Sequence, residues 1–172
     1  MIEKFKLSTI SQLEADRAEN LRLFSSKLKE FNKVSPLKDL IPGNLYYFVY
    51  VGDKIKDAKA FKLTPHIVFV TDIKTDTFEG IDLLKYDVKD RVKFLNVLYN
   101  IDPLYFEETD TLINGKESIV HSNRLLDTLT IKHKRETFMK LIPDSQFTKY
   151  RMFMLYYIQI VPLSLWNSIC LI

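Results

Sequence analysis

The chain has 172 residues, 47% of them apolar and 27% charged, with a net charge of +3. That is long enough to bury one core with an appended segment, too apolar for an unfolded chain, and too weakly basic to announce a polyanion by charge alone. A single cysteine, Cys170, excludes an internal disulfide framework and the usual zinc spacings, and it fits a reducing compartment.

The opening stretch, "MIEKFKLSTISQLEADRAEN", lacks the apolar core of a secretory signal, so export by that route is not expected. Ser11-Gln12-Leu13-Glu14 has the form of a capping box, and a helix is predicted over about 11–32. Leu21, Phe24, Leu28 and Phe31 recur at spacings of three and four and make one apolar stripe. Such a stripe must lie in a groove, either of its own domain or of a neighbouring subunit. Residues 1–40 are therefore set apart as an amphipathic helical arm, ahead of a domain over 41–172.

Ile41-Pro42-Gly43-Asn44 reads as a turn feeding "LYYFVYV", a strand of β-formers. Alternation puts Leu45, Tyr47, Val49 and Val51 on one face and Tyr46, Phe48 and Tyr50 on the other, so a strand covered on both sides is expected. After a charged loop over 52–63, Pro65 leads into a strand over His66–Val70. A polar connection then gives Thr77–Leu84, and the three together read as an antiparallel meander. From Asp87 the period lengthens: Val88, Val92, Leu95 and Leu98 define a helix that stops before Asp102-Pro103. Residues 104–123 are loop-like around an Asn114-Gly115 turn signal, and a basic helix is predicted over about 124–142. Lys149–Val161 fits either strand or helix period. The tail through Trp166 to Ile172 is apolar and must be covered, by a last strand of its own sheet or by a partner. Gln159, Pro162, Ser164, Asn167 and Ser168 interrupt it too often for a membrane span.

Charge is unevenly spread. Residues 72–110 hold ten Asp/Glu against five Lys/Arg, and residues 132–172 hold six Lys/Arg against two Asp/Glu. Complementary faces of this kind suit contacts in an assembly. Lys132, Lys134, Arg135, Lys140, Lys149 and Arg151 are the candidates for nucleic-acid contact, with Tyr150 or Phe153 placed to stack on bases.

Reactive chemistry is hard to find in the sequence. The three histidines, His66, His121 and His133, are far apart and lack metal-ligand spacing. There is no phosphate-cradling glycine loop, no nucleophile elbow and no activated cysteine. Acidic pairs such as Asp87 and Asp90 need burial to split their pKa values, and their positions do not promise it. No catalytic residue, metal or cofactor is assigned, and no enzymatic activity, small-molecule substrate or membrane is expected.

The order "PGNLYYFVY", "LTPHIVFV", "FEGIDLLKYDVKDRVKFLNVLYN" and "KYRMFMLYYIQIVPLSLWNSICL" resembles small virion-associated proteins of large contractile-tailed bacteriophages. The matching positions are Pro42, Gly43, Tyr46, Phe48, Pro65, Phe78, Gly80, Leu83, Tyr86, Tyr150, Pro162 and Trp166, within 42–100 and 149–172. The meander is also similar to the SH3-like barrel of messenger-RNA-cleaving toxins. The arginines, serines and threonines those toxins use at the scissile phosphate have no clear counterparts here.

The expected fold is α+β: a small, bent antiparallel sheet, of which an SH3-like barrel is one form, with flanking helices and the amino-terminal arm. The phage resemblance implies a structural, non-enzymatic part of a tail or baseplate, located in the virion and in the host cytoplasm during assembly. Its partners would be other virion proteins, met through Leu21, Phe24, Leu28, Phe31, Tyr46, Phe48, Trp166, Leu171 and Ile172. The alternative is a DNA-contacting accessory protein at the genome end or neck, using the basic 132–151 segment.

Overall fold

The computed structural model describes residues 4, 17–31, 40, 42–54, 61–101, 110–113, 116–119, 136 and 147–172. It is an α+β fold built on a five-stranded antiparallel sheet with helices beside it. Helix α1 spans Arg17–Phe31, and β1 (Leu45–Lys54), β2 (Phe61–Ile73) and β3 (Thr77–Asp82) follow as the meander. A 3₁₀ turn, Leu83–Lys85, leads to α2, Val88–Ile101. A separate two-stranded ribbon joins β4 (Asp110–Ile113) to β5 (Lys116–Ile119). Strand β6 (Thr148–Arg151) passes through a 3₁₀ turn, Met152–Met154, into β7 (Leu155–Ile160). A last 3₁₀ turn, Leu163–Leu165, runs into the short α3, Trp166–Ile169.

The sheet order is β6-β3-β2-β1-β7, so two strands adjacent in sequence sit at opposite edges. Only three residues join them. A flat sheet could not bring its edges that close, because neighbouring strands lie about 4.8 Å apart. Register shifts between Val49 and Tyr50, Tyr50 and Asp53, and Val70 and Asp72 supply the bend, since an extra residue in one strand sharpens its twist. Among the described residues no ladder joins β6 to β7, so the bent sheet does not close into a barrel.

Bending gives the sheet two differently packed faces. On the concave face Tyr46, Phe48, Tyr50, Val68, Val70, Phe78, Tyr150 and Ile160 form one buried cluster. On the convex face Leu45, Tyr47, Ile67, Phe69 and Ile81 pack with Phe24 and Leu28 of α1, with Val92, Phe94, Leu95 and Leu98 of α2, and with Trp166 and Ile169 of α3. The alternation of β1 is thus realised as expected, with both faces covered. Gly43 is required in the entry turn because its φ is +91°, which other residues adopt only with strain.

Several local expectations are corrected. Pro65 lies inside β2, not before it, opposite Val49 of β1. It is tolerated because pairing with β3 begins only at Val68, which leaves Pro65 without a second neighbour to bond. Within the stretch over 104–123, Asp110–Ile113 pairs antiparallel with Lys116–Ile119, so these residues are strand and not loop, while Asn114 and Gly115 lie outside the described residues. The ambiguous 149–161 segment is two strands with a 3₁₀ corner between them. The tail is covered by the chain itself, as a turn and short helix and not as a strand. The capping box and nearly all of the predicted 124–142 helix lie outside the described residues, Glu136 alone being described there, in helical conformation. No helix among the described residues is long and apolar enough to cross a membrane.

Candidate functional site

The residues proposed to meet partners fall into two groups. Phe24, Leu28, Tyr46, Phe48, Trp166 and Ile172 are buried within the chain's own core. The Phe24 ring sits 5.9 Å from that of Tyr47, which places the stripe of α1 on its own sheet. Leu21 is half-buried against the same cluster, and Leu171 is exposed. The side chain of Phe31 lies outside the described residues. Of the basic set, Lys149 and Arg151 are exposed on β6, while Lys132, Lys134, Arg135 and Lys140 lie outside the described residues. Lys149 stands directly across from Glu79 in the β3–β6 ladder, where opposite charges attract.

Exposed apolar surface concentrates instead at the corner between β6 and β7. Phe153 is 70% exposed and Tyr156 is 74% exposed, the two most accessible of the large hydrophobic side chains described. Met152 before them and Met154 and Leu155 between them are partly buried against the concave cluster, so the backbone of the corner is anchored. Two hydrogen bonds fix it further. The Met152 amide donates to Asp76 O at 2.8 Å, and the Arg151 amide donates to the Tyr50 hydroxyl at 3.2 Å. The rings of Phe153 and Tyr156 therefore project from a held frame, with Lys149 and Arg151 a few residues away. Residues 147–172 contain those two cations and no carboxylate side chain.

The concave cluster holds a second feature. His66 Nδ1 lies 2.6 Å from Asp82 Oδ2, Thr64 Oγ1 lies 2.9 Å from His66 Nε2, and the Leu84 amide donates to Asp82 Oδ1 at 3.0 Å. The order of hydroxyl, imidazole and carboxylate is that of hydrolytic triads. Here the imidazole is 7% exposed, stacked on Phe48 at 5.5 Å and met edge-on by Tyr50 and Tyr150 at 6.0 and 5.4 Å. With Nδ1–H donating to Asp82, the neutral ring accepts from Thr64; a charged ring donates to it instead, because a hydroxyl can do either. The network satisfies buried polar groups, ties β2 to β3, and caps the 3₁₀ turn that follows. Sequence reading missed it because His66 and Asp82 are sixteen positions apart. The available signal was a lone imidazole and a lone carboxylate within otherwise apolar strands.

The tail is held by charge as well as by grease. Arg91 of α2 is 3% exposed and donates to Leu83 O at 2.8 Å, Tyr86 O at 2.9 Å, Ile169 O at 3.3 Å and Ile172 O. The Asn20 amide of α1 donates to Leu171 O at 2.7 Å. The last carbonyls beyond a helix need donors, and here two other helices provide them. Cys170 is buried beside Arg91, and burial pushes its thiol up to about 11 against the opposing pull of the guanidinium. Such a thiol is inert. The Glu19–Arg22 pair on α1 is fully exposed; the hydrogen bond to Arg22 lowers the Glu19 pKa, yet surface pairs of this kind contribute little.

Among the described residues no three His, Cys, Asp or Glu side chains gather as a metal site. His121 and His133 lie outside the described residues. Of the positions that carry the phage resemblance, Tyr46, Phe48, Phe78 and Tyr150 meet in the concave cluster, and Trp166 anchors the tail. No family model, no curated protein and no solved structure matches the chain.

Proposed function

We propose that this chain is a non-enzymatic assembly protein of a phage virion, most simply of a tail or baseplate, that joins larger subunits through exposed aromatic surface. The observation that carries the reading is the corner bearing Phe153 and Tyr156: two large rings held in water on an anchored frame. Aromatic side chains bring much contact area for few rotamers to freeze, which is why they dominate protein interfaces. The aromatic residues of β1, by contrast, build the core, so the contact surface moves from Tyr46 and Phe48 to the β6–β7 corner. The phage assignment rests on the sequence resemblance. The buried Thr64–His66–Asp82 network is read as structural, because both imidazole nitrogens are engaged and its faces are packed.

Mass spectrometry of purified particles tests this. The chain should be present in fixed stoichiometry and should co-purify with tail proteins after nuclease treatment. A chain found only outside particles would overturn the assignment. Lys149 and Arg151 beside Phe153 favour DNA contact as the second reading. That reading requires binding that weakens with a logarithmic salt slope of about −0.9 for each phosphate neutralised.

A further inference from the structure

The outer edge of β7 is, with that of β6, one of the two edges of the sheet that no ladder among the described residues covers. One edge of β7 pairs with β1, and among the described residues no backbone hydrogen bond reaches the other. Natural edge strands are normally guarded by a charge, a proline, a bulge or a covering element. The β7 sequence, "LYYIQI", contains no charge and no proline and is rich in strand-forming residues; its one guard is a bulge at Tyr156, which the pairing with β1 skips between Leu155 and Tyr157, and Tyr157–Ile160 beyond it is regular. Tyr156 stands exposed on it, and Phe153 stands exposed on the turn that leads in. A second observation lies on the same strand: Gln159 is 5% exposed, its amide nitrogen donates to the Tyr157 hydroxyl, and its side-chain oxygen has no donor.

We propose that the outer edge of β7 receives an extended, acidic segment of a neighbouring protein chain, added as a further strand of the sheet. The backbone edge supplies the hydrogen bonds, Tyr156 and Phe153 supply apolar contact to alternate side chains, and Lys149 and Arg151 select carboxylates. The charge argument is local: the whole segment from 147 onward offers cations and no side-chain anion. Nucleic acid suits the surface less well. A strand edge offers main-chain donors and acceptors in alternation, which an extended peptide backbone matches and a sugar-phosphate backbone does not. The inference rests on the assembly reading and names the kind of partner it needs.

The test uses the full chain, labelled for amide NMR and hydrogen exchange, with three probes. These are a short capped peptide of alternating glutamate and valine, its lysine–valine counterpart, and an oligothymidine. The glutamate peptide should shift and protect the amides of Leu155–Ile160, and the lysine peptide should not. Tyr156→Glu, at an exposed position that leaves the fold intact, should weaken the glutamate peptide at least about tenfold, whereas Tyr156→Phe should not. Equal response to both peptides, or response to oligothymidine alone, overturns the proposal. So does protection of β7 in the free protein accompanied by a dimer mass, which would make a second copy the occupant. If particles contain the chain but the acidic peptide does not bind, strand addition fails and the assembly reading stands. If the peptide binds but particles lack the chain, the reverse holds.

Discussion

Replacing Arg91 with methionine should undock the carboxyl-terminal tail before the rest of the molecule unfolds. The methionine fills most of the aliphatic volume of the arginine but donates no hydrogen bond. Leu83 O, Tyr86 O, Ile169 O and Ile172 O then lose the guanidinium. The bonds to Leu83, Ile169 and Ile172 are buried, while that to Tyr86 is partly open and can be replaced by water. A buried acceptor left unmet costs about 1–3 kcal/mol. Ile169 O keeps a long bond of 3.5 Å from the Ile172 amide and Leu83 O one of 3.3 Å from the Tyr86 amide, so both lose less. The expected destabilisation is about 1–3 kcal/mol, with the carbonyl of Ile172 contributing most. The tail carries its own probes, because the chain has one tryptophan and one cysteine and both lie within it. Trp166 and Cys170 are buried in the native state. In a urea titration of the variant, Trp166 emission should shift to the red and Cys170 should become reactive at lower urea than the far-ultraviolet circular dichroism changes. In the parent chain the three transitions should coincide. A variant that loses less than about 1 kcal/mol and keeps Cys170 unreactive would show that packing alone seats the tail.

Three further outcomes follow from the same geometry. A Cβ on Gly80 would come within 2.4 Å of Phe69 O and 2.5 Å of Val68 Cγ1, so Gly80→Ala should cost at least about 1–3 kcal/mol by calorimetry; a neutral result would mean that β3 can move away from β2. Asp82→Leu leaves the Leu84 amide and the His66 ring without their acceptor and should cost about 3–5 kcal/mol in urea, more than Thr64→Val. Raising the pH from 9 to 11 should destabilise the folded state, because the unfolded Cys170 thiol ionises from about 9 while burial holds the native one up to about 11; this share of the loss, of order 2 kcal/mol, should be missing from Cys170→Ala when the two chains are compared.

Periodicity made the meander, α1 and α2 legible, because each buries a regular face: Leu45/Tyr47 against Tyr46/Phe48 at a period of two, and Phe24/Leu28 at a period of four. The corner between β6 and β7 was not legible. Three residues of 3₁₀ turn inside a continuous apolar run break the period without any glycine or proline to mark it. The tail resisted for the opposite reason. Its apolar content announced burial, but its partners, Arg91 and Asn20, lie at sequence separations of 81 and 151 from the residues they hold. Both faces of β1 carry apolar or aromatic side chains, which by sequence alone points Tyr46 and Phe48 at partners; a sheet bent enough to fold over one face uses them internally. What remains outside is fixed by geometry that only the folded chain displays: which rings of "RMFMLYY" point outward.

The most direct measurement is cross-linking of intact particles followed by mass spectrometry, with a photo-reactive residue placed at 153 or 156. On the assembly proposal, the expected result is a single major adduct joining this corner to an acidic segment of a different protein of the particle, absent when the label sits in the buried core. A corner that captures only water in the particle, or a purified chain that turns over a substrate in a manner abolished by His66→Gln, would contradict the assembly account.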